Sequence, residues 1–221
     1  AAMGSAAMGS VADFSRLQSV ARVTNGKDLV WKSNQPIAIG SWLKPGIYEL
    51  ISGNLEITFD AGTVLFVAPN SRFEIVNANE VRLLLGSLEA DVPEQAIGFK
   101  VQTPSGEITD LSTKFGVKVL ENGESDVHVL KGLVEAKPID GSSDKLVTLK
   151  ETSAIRMYPN APHEPVAFSP QRLFEFGSRN NQSELNYLHF SFDEDDIAQA
   201  VVKNHGTGGA GRGGKIVSGK T

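Results

Sequence analysis

Cysteine is absent from this chain, and methionine and aromatic residues are scarce, with three methionines and 7% aromatic content. Without cysteine there are neither disulfides nor thiolate metal sites, which leaves the redox compartment open because periplasmic proteins need no disulfide. Apolar runs of about 18 residues, the length of a membrane span, are also missing. A net charge of −5 argues against a general nucleic-acid or anionic-membrane surface.

What the sequence does contain is a series of short runs in which apolar and polar residues alternate. Phe115, Val117 and Val119 alternate with Gly116 and Lys118, and such a period of two predicts strands with one buried face. About a dozen of these runs are separated by turn residues, and no strongly amphipathic helix interrupts them. The sequence therefore predicts an all-β, short-stranded domain, either solenoid-like or a two-sheet sandwich.

Asn-Gly pairs and similar turn residues predict where the chain reverses. Turns are expected at Asn122-Gly123, within Thr103–Gly106 and at Asp60-Ala61-Gly62. The pair Asn25-Gly26 predicts a first hairpin between the runs that end at Thr24 and at Trp31.

A short repeat points to bends inside strands. Gly53, Gly86 and Gly132 each lie in the pattern apolar-apolar-x-Gly-x-apolar-Glu. Glycine within a strand pattern typically marks a bulge or bend, so the three positions are expected at equivalent corners of the sheet. Chance recurrence of so short a pattern is the alternative.

Composition predicts four successive segments along the chain. Residues 1–10 repeat AAMGS and are typical of a cloning remnant, and residues 11–158 hold the predicted β domain. A proline-rich linker is expected over 159–187. The glycine-rich segment 188–221 is expected to be the beginning of a second module.

Candidate catalytic and metal-binding groups each have a simpler interpretation. Asp193 to Asp196 lack the alternating spacing of a calcium loop and indicate a solvated acidic loop. The four histidines lack metal-ligand spacing, and His128 is expected on a strand surface. Trp31 and Trp42 could stack on sugars but are expected in or beside the core. The tail 214–221 matches a phosphate-binding loop only as a coincidence, since no helix follows it. We therefore predict no catalytic, cofactor or metal residues, and no enzyme.

Residues from about Trp31 to Pro138 resemble the FecR family of periplasmic regulator domains. The resemblance is carried by Leu50–Phe59 with Gly53, Ala68-Pro69 with Phe73-Glu74, Leu85-Gly86-Ser87-Leu88, Gly98–Pro104, Asp110–Val117 and Val127–Glu135. The family's usual Gly-Thr-Glu-Phe is Ser112-Thr113-Lys114-Phe115 in this chain. From Leu188 onward, Phe190-Ser191-Phe192-Asp193 is similar to the opening strand of a LamG-type, concanavalin-like module.

The FecR resemblance implies an extracytoplasmic sensor domain of an anti-sigma-type transmembrane protein. Such a protein would be anchored by a membrane segment outside residues 1–221 and would respond to a protein partner, such as a receptor signalling domain or a sigma-factor system component. The alternative is a cell-surface adhesion protein that binds glycan through its LamG-like module and uses the FecR-like domain as a spacer. Neither reading requires nucleic acid or a cofactor.

Lys114 and Lys118 are the candidate partner-binding residues. They share one parity along a predicted strand and point away from Phe115, Val117 and Val119. A protein partner could pair with an edge or lie on a face of the sheet in the 99–136 region, and these lysines would meet acidic groups. Ordinary solubilising lysines are the alternative interpretation.

Overall fold

The computed structural model describes residues 18–33, 37–139 and 146–169, and they form an all-β domain, as the sequence predicts. Its strands are β1 Ala21–Trp31, β2 Trp42–Leu43, β3 Gly46–Phe59, β4 Val64–Val67, β5 Ser71–Asn77, β6 Glu80–Asp91, β7 Lys100–Thr103, β8 Gly106–Asp110, β9 Lys114–Val119, β10 Ser125–Lys131, β11 Leu133–Pro138, β12 Val147–Lys150, β13 Ala154–Met157 and β14 Glu164–Pro165. A single turn of 3-10 helix, Glu94–Ala96, is the only helix in this part of the chain. None of these residues forms a helix suited to crossing a membrane.

The strands form one hydrogen-bonded network that divides into two sheets, because β1, β3 and β6 bend and contribute to both. Sheet I has the order β12-β11-β8-β7-β6-β5-β3-β1 and uses the first halves of β3 and β6. Sheet II has the order β14-β13-β10-β9-β6-β4-β3-β1-β2 and uses their second halves. All pairings are antiparallel except the one between β6 and β7 in sheet I.

One hydrophobic core lies between the two sheets. Alternate residues of both sheets contribute to it, and the largest fully buried side chains include Phe59, Phe73, Phe99 and Phe115. Phe59 of sheet II meets Phe99, which leads into sheet I, in an edge-to-face contact with ring centroids 5.2 Å apart. This shared core gives the domain a two-layered architecture, one of the two alternatives that the sequence leaves open.

Residues with positive φ mark the passages of the chain from one sheet to the other. Eight such passages among the described residues contain one each: Asp28, Gly53, Asn70, Gly86, Gly98, Ser112, Gly132 and Thr152. From β3 to β14 the chain makes hairpins between these passages. Hairpins β3–β4, β9–β10 and β13–β14 lie in sheet II, and hairpins β5–β6, β7–β8 and β11–β12 lie in sheet I. The repeated glycines Gly53, Gly86 and Gly132 all lie at these passages, which confirms the predicted corners.

Gly86 shows why a side chain is excluded at such a corner. Its φ is +94°, and a Cβ placed there would lie 2.6 Å from the Cα of Ser71 on β5. The hydroxyl of Ser71 accepts a hydrogen bond from the Ser87 amide at 3.1 Å and donates one to the Ser87 carbonyl at 3.3 Å. Ser71 thus satisfies the backbone of β6 where the strand bends, and it uses the space that glycine leaves.

Ser71→Ala is expected to lower the free energy of unfolding by about 1–3 kcal/mol, because it leaves the buried Ser87 amide without this acceptor. The Ser87 carbonyl keeps the Ala68 amide as a donor at 3.0 Å. Ser87→Ala is the matched control. The Ser87 hydroxyl is buried and has no hydrogen-bond partner, so its removal should change stability by less than about 0.5 kcal/mol or should stabilise. Urea unfolding of both variants compares them, and equal losses would contradict the role of Ser71.

Most predicted turns are confirmed, but the first predicted hairpin is wrong. The chain reverses at Asp60–Gly62, Thr103–Gly106 and Asn122-Gly123, where Gly123 has a φ of +82°. Asn25-Gly26 instead lies inside the continuous strand β1, beside a register shift against β3. The residues of β1 before and after Asn25-Gly26 are paired with the long strand β3. This pairing between strands overrides the local preference of Asn-Gly for a turn.

The first part of the predicted linker packs on the β domain. Glu164–Pro165 forms β14 beside β13, and the Tyr158 hydroxyl donates to the Glu164 carboxylate. The predicted cloning remnant 1–10, the rest of the linker from residue 170 and the LamG-like segment 188–221 lie outside the described residues.

Candidate functional site

Lys114 and Lys118 lie on the outer face of sheet II, which we call the β9 face: the outward side chains of β6, β9, β10 and β13. Both lysines are half-buried, whereas Phe115, Val117 and Val119 are fully buried in the core, so the predicted parity is confirmed. In β6 and β10 the residues opposite Lys114 are Asp91 and Lys131, and those opposite Lys118 are Ser87 and Asp126.

The position of β9 in the sheet determines whether a partner could pair with an edge strand or must lie on a face. β9 pairs with β6 on one side and with β10 on the other, and β7, β8, β10 and β11 also have a neighbour on each side. None of the strands between residues 99 and 136 is therefore an edge of its sheet. A partner that meets this region approaches a face of the sheet and does not add a strand to it.

Lys114 is held by a buried carboxylate that sequence reasoning missed. Its Nζ lies 2.9 Å from Oε1 of Glu89 on β6, and the exposed fractions of the two side chains are 24% and 6%. The same Nζ lies 6.0 Å from the centre of the Phe66 ring on β4. Glu89 is the glutamate of the Gly86 repeat, but the repeat gives no sign of a partner that lies on another strand.

A second ion pair on the β9 face joins β10 to β13. Arg156 donates from Nε to Asp126 Oδ1 at 2.6 Å and from an Nη to Oδ2 at 2.8 Å, the two-pronged geometry that guanidinium and carboxylate prefer. These hydrogen bonds raise the pKa of Arg156 further above its ordinary value, so it stays charged throughout. The cations of this face are thus interleaved with anions, and the face is not a basic patch.

His128 occupies the middle of the β9 face, opposite Gly116 on β9 and Ala154 on β13. It is 4% exposed, so the expectation of a surface histidine is wrong. The reason is a segment 40 positions further along the chain: Phe168 lies against the imidazole, with ring centroids 6.0 Å apart, and the Ser169 amide donates to Nδ1 at 3.3 Å. A contact so distant in sequence leaves no local signal.

Beside the β9 face, the turn between β8 and β9 carries the residue that departs from the family pattern. Ser112 has a φ of +79°, so it keeps the conformation for which glycine is suited. The Ser112 amide donates to Asp110 Oδ2 at 2.8 Å, and the Thr113 hydroxyl donates to Oδ1. Burial raises the pKa of Asp110, while these hydrogen bonds oppose the rise. A buried carboxylate thus holds the turn without the glycine.

The two tryptophans considered as sugar-stacking residues contact other parts of the domain. Trp31 is half-buried against the core and donates from its indole to the Ile37 carbonyl at 3.0 Å. Trp42 is half-buried, and the Arg22 guanidinium lies 5.5 Å from the centre of its ring. Across residues 18–33, 37–139 and 146–169, no cluster of three or more potential ligands is placed to hold a metal. The acidic cluster 193–196 and the tail 214–221 lie outside those ranges.

Comparison with known proteins supports the resemblance seen in the sequence. Residues 51–135 match the family described as FecR protein. Two crystal structures of a "putative anti-sigma factor" from Parabacteroides distasonis ATCC 8503 are 18% identical to this chain, with a TM-score of 0.45 and 54% of this chain covered. The match spans 58% of the length of those structures. No curated protein matches the chain.

Proposed function

Because residues 51–135 are a FecR-type segment, we propose that this chain is the extracytoplasmic sensor domain of an anti-sigma-type regulator that acts by binding another protein. In this proposal the domain faces the periplasm or cell surface, a membrane segment outside residues 1–221 anchors it, and it catalyses no reaction. The match to the FecR family is the observation that supports the proposal.

The extent of the family match agrees with the architecture. The matched segment begins two positions before the corner at Gly53 and ends three positions after the corner at Gly132. The matched segment holds the second half of β3, all of β4 to β10 and the first part of β11. Strands outside the match, β1 and β2 at one end and β12 to β14 at the other, complete both sheets. The family segment is therefore the middle of the fold.

Within the β9 face we propose Lys118 as the contact for an acidic protein partner. Lys114 serves this purpose less well, because its ammonium group is bound to Glu89 at 2.9 Å and is only 24% exposed. Lys118 lies between Ser87 and Asp126, and Asp126 also receives both hydrogen bonds from Arg156. A charge reversal at Lys118 therefore tests this face and leaves the ion pair between Lys114 and Glu89 in place.

The test is a calorimetric titration of the domain with the signalling domain of the cognate receptor or with the cognate sigma-factor system component. Lys118→Glu is expected to weaken binding about tenfold, because a like charge meets the acidic partner. Lys150→Glu, at an exposed position of β12 in sheet I, is the matched control and should bind as the wild type does.

Two results would count against the proposal. Wild-type affinity in the Lys118→Glu variant would remove the β9 face as the contact surface. Binding to purified polysaccharide, with none to any envelope protein, would remove the regulatory function and favour adhesion.

A further inference from the structure

Residues 166–169, which we call the strap, run from edge strand β14 onto the β9 face. The strap begins where the Val166 amide donates to the Ala154 carbonyl at 3.1 Å. It ends where Phe168 and Ser169 contact His128 of β10. The edge of sheet II is thereby connected to the middle of its outer face through one buried imidazole.

The hydrogen bond between Ser169 and His128 fixes the state of that imidazole. A backbone N–H only donates, so Nδ1 of His128 must present its lone pair as the acceptor. A proton on Nδ1 would replace the lone pair with a second donor that points at the Ser169 amide. The closed strap is therefore compatible with neutral His128 and incompatible with the imidazolium form.

The charged residues around His128 also favour its neutral form. The flanking positions hold Lys114 and Lys118 on β9, Arg156 on β13 and Asp126 on β10, with Glu89 opposite Gly116 on β6. Among the described residues at these positions, three are cations and two are anions, and both anions are engaged in ion pairs with Lys114 and Arg156. An imidazolium with a proton on Nδ1 could not accept from the Ser169 amide, so protonation of Nδ1 proceeds by opening the strap.

We propose that His128 is a pH-sensitive latch that holds the strap closed on the β9 face when neutral and releases it when protonated. The proposal does not depend on the function proposed above. A freed imidazole takes up its proton near the ordinary pKa of about 6.5. Since only the open form binds the proton, the ratio of open to closed strap rises about tenfold for each pH unit below that value.

Amide hydrogen exchange followed by NMR between pH 5 and pH 8 tests the latch on the full chain. Protection of the Ser169 amide, corrected for the intrinsic exchange rate, is expected to fall about tenfold from pH 6 to pH 5. His128→Asn keeps an acceptor but cannot titrate, so its protection should not vary with pH. His163→Asn, which removes the histidine directly before β14, is the matched control and should behave as the wild type does.

Ser169→Pro provides a second test, because it removes the donor and leaves His128 in place. The Val166 amide of this variant, which donates to the Ala154 carbonyl, should lose its protection even at pH 8, while amides of β10 and β13 stay protected and report an intact fold. Wild-type protection that stays constant across the pH range would overturn the proposal. A pH dependence that survives in His128→Asn, or that disappears in His163→Asn, would do the same.

Discussion

Gly86→Val is expected to lower the free energy of unfolding by about 3–5 kcal/mol, a large share of a typical domain's stability. The φ of +94° costs any L-residue about 1–3 kcal/mol, and more so a β-branched one. The new Cβ would also lie 2.6 Å from Ser71 Cα and 2.7 Å from Ser71 Cβ. Because β5 cannot move away without breaking its pairing with β6, overpacking adds about 1–3 kcal/mol.

Gly98→Val separates these two contributions. Gly98 has nearly the same φ, +92°, but nothing lies within 4 Å of the position its Cβ would take. Chemical denaturation of both variants should show Gly86→Val to be the more damaging by about 1–3 kcal/mol. If the two variants lose the same stability, the corner is strained only in its backbone and Ser71 imposes no steric limit.

Lys114→Met is expected to cost about 2–4 kcal/mol, because it leaves the buried carboxylate of Glu89 without its cation. Methionine preserves an unbranched apolar chain that can still lie against Phe66, so the loss reports mainly the missing charge. Partial exposure of Lys114, 24%, places the expected value at the lower end of the range for buried pairs. Thermal or urea unfolding measures the loss.

Lys100→Met is the matched control on sheet I. Lys100 pairs with Glu107 at 2.8 Å, but the exposed fractions are 42% and 33%, and exposed pairs contribute about 0–1 kcal/mol. The double variant Lys114→Met/Glu89→Gln should recover more than half of the loss, because the orphan charge is gone. A cost of Lys114→Met no greater than that of Lys100→Met would show that Glu89 is hydrated. For binding experiments, the expected loss makes Lys118 a cleaner site for substitution than Lys114.

The local features of this fold, its strands, turns and glycine corners, could largely be predicted from the sequence. Alternation predicts the strands around Phe115 and Val127, and turn residues such as Asn122-Gly123 predict the hairpin that joins them. The glycine repeat predicts three corners because only glycine avoids both the left-handed penalty and the steric clash there. Corners at Asp28, Asn70, Ser112 and Thr152 escape such reasoning because no glycine marks them. Aspartate and asparagine tolerate a positive φ, and Asp110 supports it at Ser112.

Features that depend on which strands lie side by side, or on contacts distant in sequence, could not be predicted. Asn25-Gly26 is a good turn by itself, and only the presence of β3 alongside β1 makes it part of a strand. For the candidate site, the shared parity of Lys114 and Lys118 follows from the period of a strand. Glu89 as the partner of Lys114 does not, because the register of β6 against β9 is a tertiary property. The burial of His128 by Phe168 is equally invisible, since the two residues lie 40 positions apart.

The sharing of β1, β3 and β6 between the sheets determines how the domain loses its structure. Neither sheet can detach as a unit, because separating them would require breaking three continuous strands at their bends. If one sheet melts, the half of each shared strand that lies in that sheet loses its hydrogen-bond partners. The core that the two sheets share is then opened to water. We therefore expect the two layers to unfold as one cooperative unit, without a populated state that keeps only one of them.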